Sequence, residues 1–374
     1  MYIKEFGVER WMYLFENDCE LNLAETCVES LTVKELLEIA GKKDELLAEI
    51  LPMKLTYGEI DGTARLRSNV ASLYEKQDIA NVLITHGAIG ANALVYETLI
   101  EPGDHVISVS PTYQQHISIP ESYGAKVDIL RLREENAFLP DLDELKRLLT
   151  PKTRLIAINN PNNPTGSLMD RPFLEEIARI ADSFGVYLLC DEVYRGTDQV
   201  GNGFTASIAD IYERGISTGS MSKTWSLAGL RLGWIVAPVD IIHRVQIHRD
   251  YNTISVGMLD DLLASIALES RTGILNRNHA ILRGNLAKLD AWIAGEPRLS
   301  YVKPKSATTA WARVETDMTS WDFCVALLQK TGVMFTPGSA LDGEGYVRIG
   351  YANNPVVLAE GLSRTSEFLR HATR

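Results

Sequence analysis

Seven short strand-like runs, interspersed with helix-like stretches, constrain this chain more than any other feature. The runs are Val82–Thr85, His105–Ser108, Lys126–Leu130, Arg154–Asn159, Val186–Asp191, Gly215–Ser220 and Leu232–Ala237. Between and around them lie helix-like segments: Ala64–Lys76, Ala91–Ile100, Leu142–Leu149, Arg171–Phe184 and Ile241–Arg249. Continuous apolar runs, rather than alternating ones, belong to strands covered on both faces. Strand–helix alternation then predicts a mostly parallel sheet with helices on both sides. In such sheets ligands bind outside the carboxyl ends of the strands. Polar residues at those ends are therefore the first place to look for chemistry.

Three strand ends carry unusual polar residues. Leu155-Ile156-Ala157-Ile158 runs into Asn159-Asn160-Pro161-Asn162-Asn163-Pro164-Thr165-Gly166, a sharp turn. Val186–Cys190 ends in Asp191-Glu192-Val193-Tyr194, and a carboxylate at such a place needs a partner. Gly215–Ser220 leads to Met221-Ser222-Lys223, followed by Gly229, Arg231 and Gly233. A lysine that does covalent chemistry is served by nearby positive charge, which depresses its pKa, and by hydroxyls that hold an anion. Each motif alone has a plainer explanation: a solvated lysine, an ordinary strand–helix loop, a capping aspartate. Together they bring an amide, a carboxylate, a phenol and an amine to one edge of a sheet.

This set resembles the class I and II aminotransferases, fold-type-I enzymes that use pyridoxal 5′-phosphate (PLP). The likeness runs from about residue 20 to the C-terminus. It implies an α/β fold: a mostly parallel mixed sheet sandwiched by helices, plus a smaller α+β domain. Residues 1–45 are expected to form an arm packed on the small domain, 46–255 the large PLP-binding domain, and 256–374 the small domain. In the arm, a helix is expected near Val8–Asn17 and an extended piece at Leu21–Cys27. In the small domain, Met258–Ala294 reads as one long helical stretch. The small domain continues through Ala307–Val314, a helix at Ser320–Lys330, a strand-like Tyr346–Gly350 and a final helix at Val356–His371.

The resemblance also implies roles. Lys223 would hold PLP as a Schiff base and carry protons, and Asp191 would face its ring nitrogen. Tyr194 and Asn163 would bind the 3-oxygen, and Tyr113 would stack on the ring. Ser220, Ser222, Arg231 and the turn Gly87-Ala88-Ile89 would bind the phosphate. At Ile89 the family often has a side-chain donor, so one phosphate contact is expected either to be missing or to come from backbone only. Tyr57 would reach the phosphate of a neighbouring subunit, making a homodimer. Arg348 would grip the substrate α-carboxylate. Glu25, in Leu23-Ala24-Glu25, stands where many relatives have a glycine-rich arm. It is expected near the site, favouring a cationic group.

The implied reaction passes the amino group of an L-amino acid to a 2-oxo acid through pyridoxamine phosphate. A PLP-dependent lyase, of the C–S β-lyase or aminocyclopropane-carboxylate-synthase kind, shares these residues and stays open. A net charge of −12 argues against a nucleic-acid partner. The four cysteines show no metal-ligand spacing, and no metal is expected. With no apolar signal core and no apolar run of membrane length, a cytoplasmic enzyme is expected.

Overall fold

The computed structural model describes residues 2–371. Seven strands form the central sheet: β1 (Val82–Thr85), β2 (His105–Ser110), β3 (Lys126–Arg131), β4 (Thr153–Asn159), β5 (Tyr187–Asp191), β6 (Gly215–Ser220) and β7 (Gly233–Val236). Their order across the sheet is β1-β7-β6-β5-β4-β2-β3. Only β7 runs antiparallel to its neighbours, β1 and β6. The fold is thus α/β with a mostly parallel mixed sheet, as expected.

Period two along each strand sends alternate side chains to opposite faces. Ile107, Ile156 and Leu188 pack on one face against Leu174, Ile177 and Ala181 of the helix Arg171–Asp182. Val106, Leu155 and Leu189 pack on the other against Leu94 and Val95 of the helix Gly87–Leu99. Both faces are dry, which is why the strands read as unbroken apolar runs.

A second, antiparallel sheet joins Thr336–Pro337, Tyr346–Gly350, Thr309–Val314 and Leu299–Tyr301 in that order. The arm joins this region. Leu21–Asn22 pairs in parallel with Val333–Met334. Trp11, Leu23 and Val28 share a core with Phe323, Leu327 and Leu358.

Several element boundaries differ from the sequence reading. The Met258–Ala294 stretch is two helices, Met258–Glu269 and Arg271–Gly295, broken at Ser270, which ends one and starts the other. The helix from Ala64 stops at Ala71, because Glu75 and Lys76 give their N–H groups to Asp210 instead. Of Leu21–Cys27 only Leu21–Asn22 is strand; beyond it Asn22 Oδ1 accepts the N–H of Ala24 and of Glu25, turning the chain. In the last two differences a polar side chain competes with the regular ladder.

Candidate active site

A cavity of about 350 Å³ opens at the carboxyl ends of the sheet strands. Asn159 and Asp191 are the last residues of β4 and β5, and Ser220 ends β6. Asp191, Asn163, Tyr194, Tyr113, Ser220, Ser222, Lys223, Arg231, Ala88, Ile89, Arg348 and Glu25 all line it. Only two expected residues lie off this wall. Gly87 sits just behind, with Arg231 Nη2 3.1 Å from where its Cβ would be. Its φ of +67° is the left-handed conformation that glycine adopts without strain. Tyr57 faces away, 75% exposed, on a different surface.

Lys223 Nζ reaches into the cavity on a half-buried side chain. It donates to Thr26 Oγ1 at 2.6 Å and lies 3.5 Å from Cys27 Sγ and 4.0 Å from Glu25 Oε1. Here the sequence expectation is corrected. Burial pulls the amine pKa down, but Cys27, Tyr194 and Glu25 outweigh burial and the cation Arg348, so the net shift is upward. Near neutrality Glu25 is the ionised one of the three. Burial pushes the Cys27 thiol up to about 11 and the Tyr194 phenol above its ordinary value. Burial also raises the Glu25 pKa, but Lys223 and the N–H groups of Thr26 and Cys27 outweigh it, for a net downward shift.

Asp191 is held by three donors. Val193 N–H reaches Oδ1 at 3.1 Å, Asn92 Nδ2 reaches Oδ2 at 2.9 Å, and His116 Nε2 reaches Oδ2 at 3.3 Å. A carboxylate only accepts, so Nε2 of His116 carries the proton. In a neutral ring, Nδ1 then accepts from Tyr96 Oη, 2.9 Å away. Asn92 is itself fixed, with Oδ1 accepting from Thr218 Oγ1 at 2.7 Å. The residue-by-residue reading missed Asn92 and His116. Asn92 had a signal: it is the sole amide in the otherwise apolar run Gly87–Val95, and it is 1% exposed.

In the Asn-Pro turn the amides divide their work. Asn159 Nδ2 donates to Asp191 O and Asn160 Nδ2 to Met169 O, so both serve the loop. Asn163 serves the cavity. Arg348 donates from Nη1 to its Oδ1 at 3.2 Å. Arg348 is 3% exposed rather than a surface residue of its strand. Nη2 donates to Ala24 O and Thr336 Oγ1. Its Nε–H is buried with no partner among the described residues. A buried guanidinium with an unused N–H asks for an anion. Gly350, two residues on, lets the arm lie close: a Cβ there would fall 1.8 Å from Glu25 O.

The site also fits a phosphate. The helix Gly87–Leu99 starts with no side-chain cap, so its first N–H groups are free for an anion. Ser220, Ser222 and the Arg231 guanidinium line the cavity with Ala88 and Ile89 of that first turn. Ile89 offers backbone alone.

An α/β sheet with an amine, a carboxylate and an uncapped helix start at its strand ends, met there by a buried arginine from the second sheet, has the makings of a fold-type-I PLP enzyme. The chain belongs to the class I and II aminotransferase family, whose model matches residues 20–364. It is similar to an aspartate aminotransferase of Pyrococcus horikoshii, 33% identical over 325 residues, covering 82% of this chain and 81% of that protein. It is 32% identical to the capreomycidine synthase of Streptomyces vinaceus, covering 82% of this chain and 79% of that one. Among solved structures it is similar to a PLP-dependent aminotransferase from Streptococcus suis. There the TM-score is 0.96 at 44% identity, with both chains covered in full. The chain is a PLP-dependent aminotransferase, acting on amino acids and 2-oxo acids.

Proposed function

We propose that both halves of the amino-group exchange, from an L-amino acid and to a 2-oxo acid, take place in this one cavity with Lys223 as proton carrier. The observation that carries this is the convergence of Lys223, Asp191 and Arg348 on one cavity from three distant parts of the chain. PLP, when bound, supplies an electron sink for the charge left on the substrate Cα. Asp191 would hold its ring nitrogen, Asn163 and Tyr194 its 3-oxygen, and Tyr113 its ring face. Gly87, Ala88, Ile89, Ser220, Ser222 and Arg231 would hold its phosphate. Lys223 Nζ would anchor the cofactor and would take the proton from substrate Cα. Arg348 fixes the α-carboxylate, which orients the Cα–H bond toward Lys223.

We also propose a homodimer in which Tyr57 completes the partner's site. An exposed apolar band supports it: Leu51, Leu55, Tyr57 and Tyr251 are each at least 75% exposed. The division into arm 1–45, large domain 46–255 and small domain 256–374 belongs to the same proposal. So does a cytoplasmic setting, with all four cysteines free. Among the described residues no helix is long and apolar enough to cross a membrane.

The likeness to a synthase keeps the lyase-type outcome as a second reading. The test mixes holoenzyme with single amino acids and no 2-oxo acid. Transamination yields one equivalent of 2-oxo acid with loss of the visible absorbance, restored by a second 2-oxo acid. Continuous release of ammonia or a thiol, with that absorbance persisting, would establish a lyase instead.

A further inference from the structure

One wall of the cavity carries charge that the proposed chemistry leaves unused. The helix Gly7–Phe15 and its capping residue Glu16 present Val8, Glu9, Met12 and Glu16 to the cavity. Glu9, Met12 and Glu16 are three and four positions apart, so they share one helix face. Glu25, from the loop that follows, lines the same cavity.

Among the described residues these carboxylates have no ion pair except Glu25 with Lys223, although the charges of Glu25 and Glu9 also act on the Arg348 guanidinium. The Glu9 side chain accepts from Tyr113 Oη at 2.6 Å, a neutral donor. Around Glu16 no cation acts: burial first, then Glu25 and Glu9, all push its carboxyl above the ordinary value. Glu25 has Lys223 at 4.0 Å, and the proposed function commits that amine to the cofactor. Three like charges at one mouth repel one another, a cost that a bound cation would relieve. Val8 and Met12 beside them offer apolar surface suited to a methylene stem.

A second feature points to a ligand from another side. Arg348 lines the same cavity, is 3% exposed, and keeps its Nε–H without a partner among the described residues. The cavity therefore offers a buried cation for one end of a small molecule and three carboxylates for another.

We propose that the amino-acid substrate carries a cation on its side chain, an amine or a guanidinium, received by Glu9, Glu16 and Glu25 while Arg348 holds its α-carboxylate. This rests on the aminotransferase reading of the cavity and names its substrate class. Glu9 and Glu16 are exposed at the rim, so solvent screens each contribution and the three act together.

The test has two arms, both on holoenzyme. In the first, arginine, ornithine, lysine, norleucine and glutamate are compared as donors in single turnovers. At least one cationic donor should exceed norleucine about tenfold in kcat/KM, with glutamate below both. Arginine against ornithine and lysine separates guanidinium from amine. Glu16→Lys should shift the cationic-to-glutamate ratio at least about tenfold toward glutamate. In the second arm no turnover is needed. Calorimetry compares 4-guanidinobutyrate and 5-aminopentanoate with hexanoate, which has the carboxylate but no cation. Tighter binding of either cationic acid, about tenfold, supports the proposal. Equal binding of all three, or an unmoved donor ratio in Glu16→Lys, overturns it. If no donor at all bleaches the visible absorbance, the aminotransferase reading fails, and the calorimetry still decides the cation site.

Discussion

Arg348 donates from Nη1 to Oδ1 of Asn163 across 3.2 Å, tying the small antiparallel sheet to the Asn-Pro turn of the large one. Two functional groups are thereby aimed by one bond. The amide oxygen is spent on the guanidinium, which leaves the Asn163 Nδ2 donor for the cavity. With three of its five N–H groups committed to Asn163, Ala24 and Thr336, Arg348 keeps Nε–H and one Nη1 hydrogen for a ligand.

Arg348→Lys should therefore raise KM for the amino-acid donor far more than it lowers the rate at saturation. A point-charge ammonium cannot reproduce the fork. Loss of a charge-assisted pair predicts a fall in kcat/KM of roughly 10–100-fold. Steady-state kinetics with one fixed 2-oxo acid measures it. An unchanged KM would remove Arg348 from substrate binding.

Lys223→Ala should leave no covalent adduct when the PLP-loaded protein is treated with borohydride and weighed by mass spectrometry. Without the proton carrier the donor half-reaction should slow by at least about 10²–10⁴-fold. A surviving adduct would mean another amine anchors the cofactor.

Glu25→Gln should shift Lys223 in a known direction. Burial lowers the Lys223 pKa, and Glu25 at 4.0 Å is the neighbour that raises it near neutrality. Removing that charge makes the ammonium less favoured, so the free amine is present at lower pH. Reconstitution of apoprotein with PLP, followed by absorbance against pH, should move its profile to lower pH. A profile that stays put, or moves up, contradicts the electrostatics argued for this pair.

Trp11 is fully buried, with its ring 4.8 Å from that of Trp321 and 4.5 Å from that of Phe15. It anchors the helix that carries Glu9, Met12 and Glu16. Trp11→Ala should cost about 3–5 kcal/mol of stability in chemical denaturation. Because the same helix forms a cavity wall, donor KM should rise as well. A loss of stability with KM intact would uncouple the arm from the site.

Asp198 gives a pH-dependent prediction away from the chemistry. Burial raises its pKa from 3.8 to about 6, against a bond from Ser306 and the charges of Arg195 and Arg283. A carboxyl whose folded pKa is raised binds its proton more tightly when folded. Its contribution is therefore largest below pH 4 and is lost as pH rises through about 6. Asp198→Asn should be more stable than the parent at pH 7 by about 1–2 kcal/mol, and the difference should vanish near pH 4. Denaturant melts at the two pH values decide it.

Much of this protein was legible before any coordinates. All seven strands of the large sheet were legible in the sequence, most of them because a strand buried on both faces has no polar side to confuse the pattern; the edge strand Lys126–Arg131 is only partly covered. The cavity residues Lys223, Asp191, Asn163 and Arg231 were visible because each sits within a few positions of a strand end or a tight turn. That information is local, and short motifs carry it. Tertiary structure alone decided the rest. Asn92 and His116 reach Asp191 from other helices, and nothing in their own neighbourhoods says which carboxylate they will meet. The upward shift of Lys223 depends on Cys27, Tyr194 and Glu25, the first and last of them almost two hundred residues earlier in the chain. Glu9 and Glu16 read as ordinary solvated helix charges until the packing of Trp11 turns that helix face onto the cavity. Sequence pattern determines which surfaces must be buried. Which charges then face each other follows from how the arm and the two sheets pack, since electrostatic interaction depends on distance in space and not along the chain.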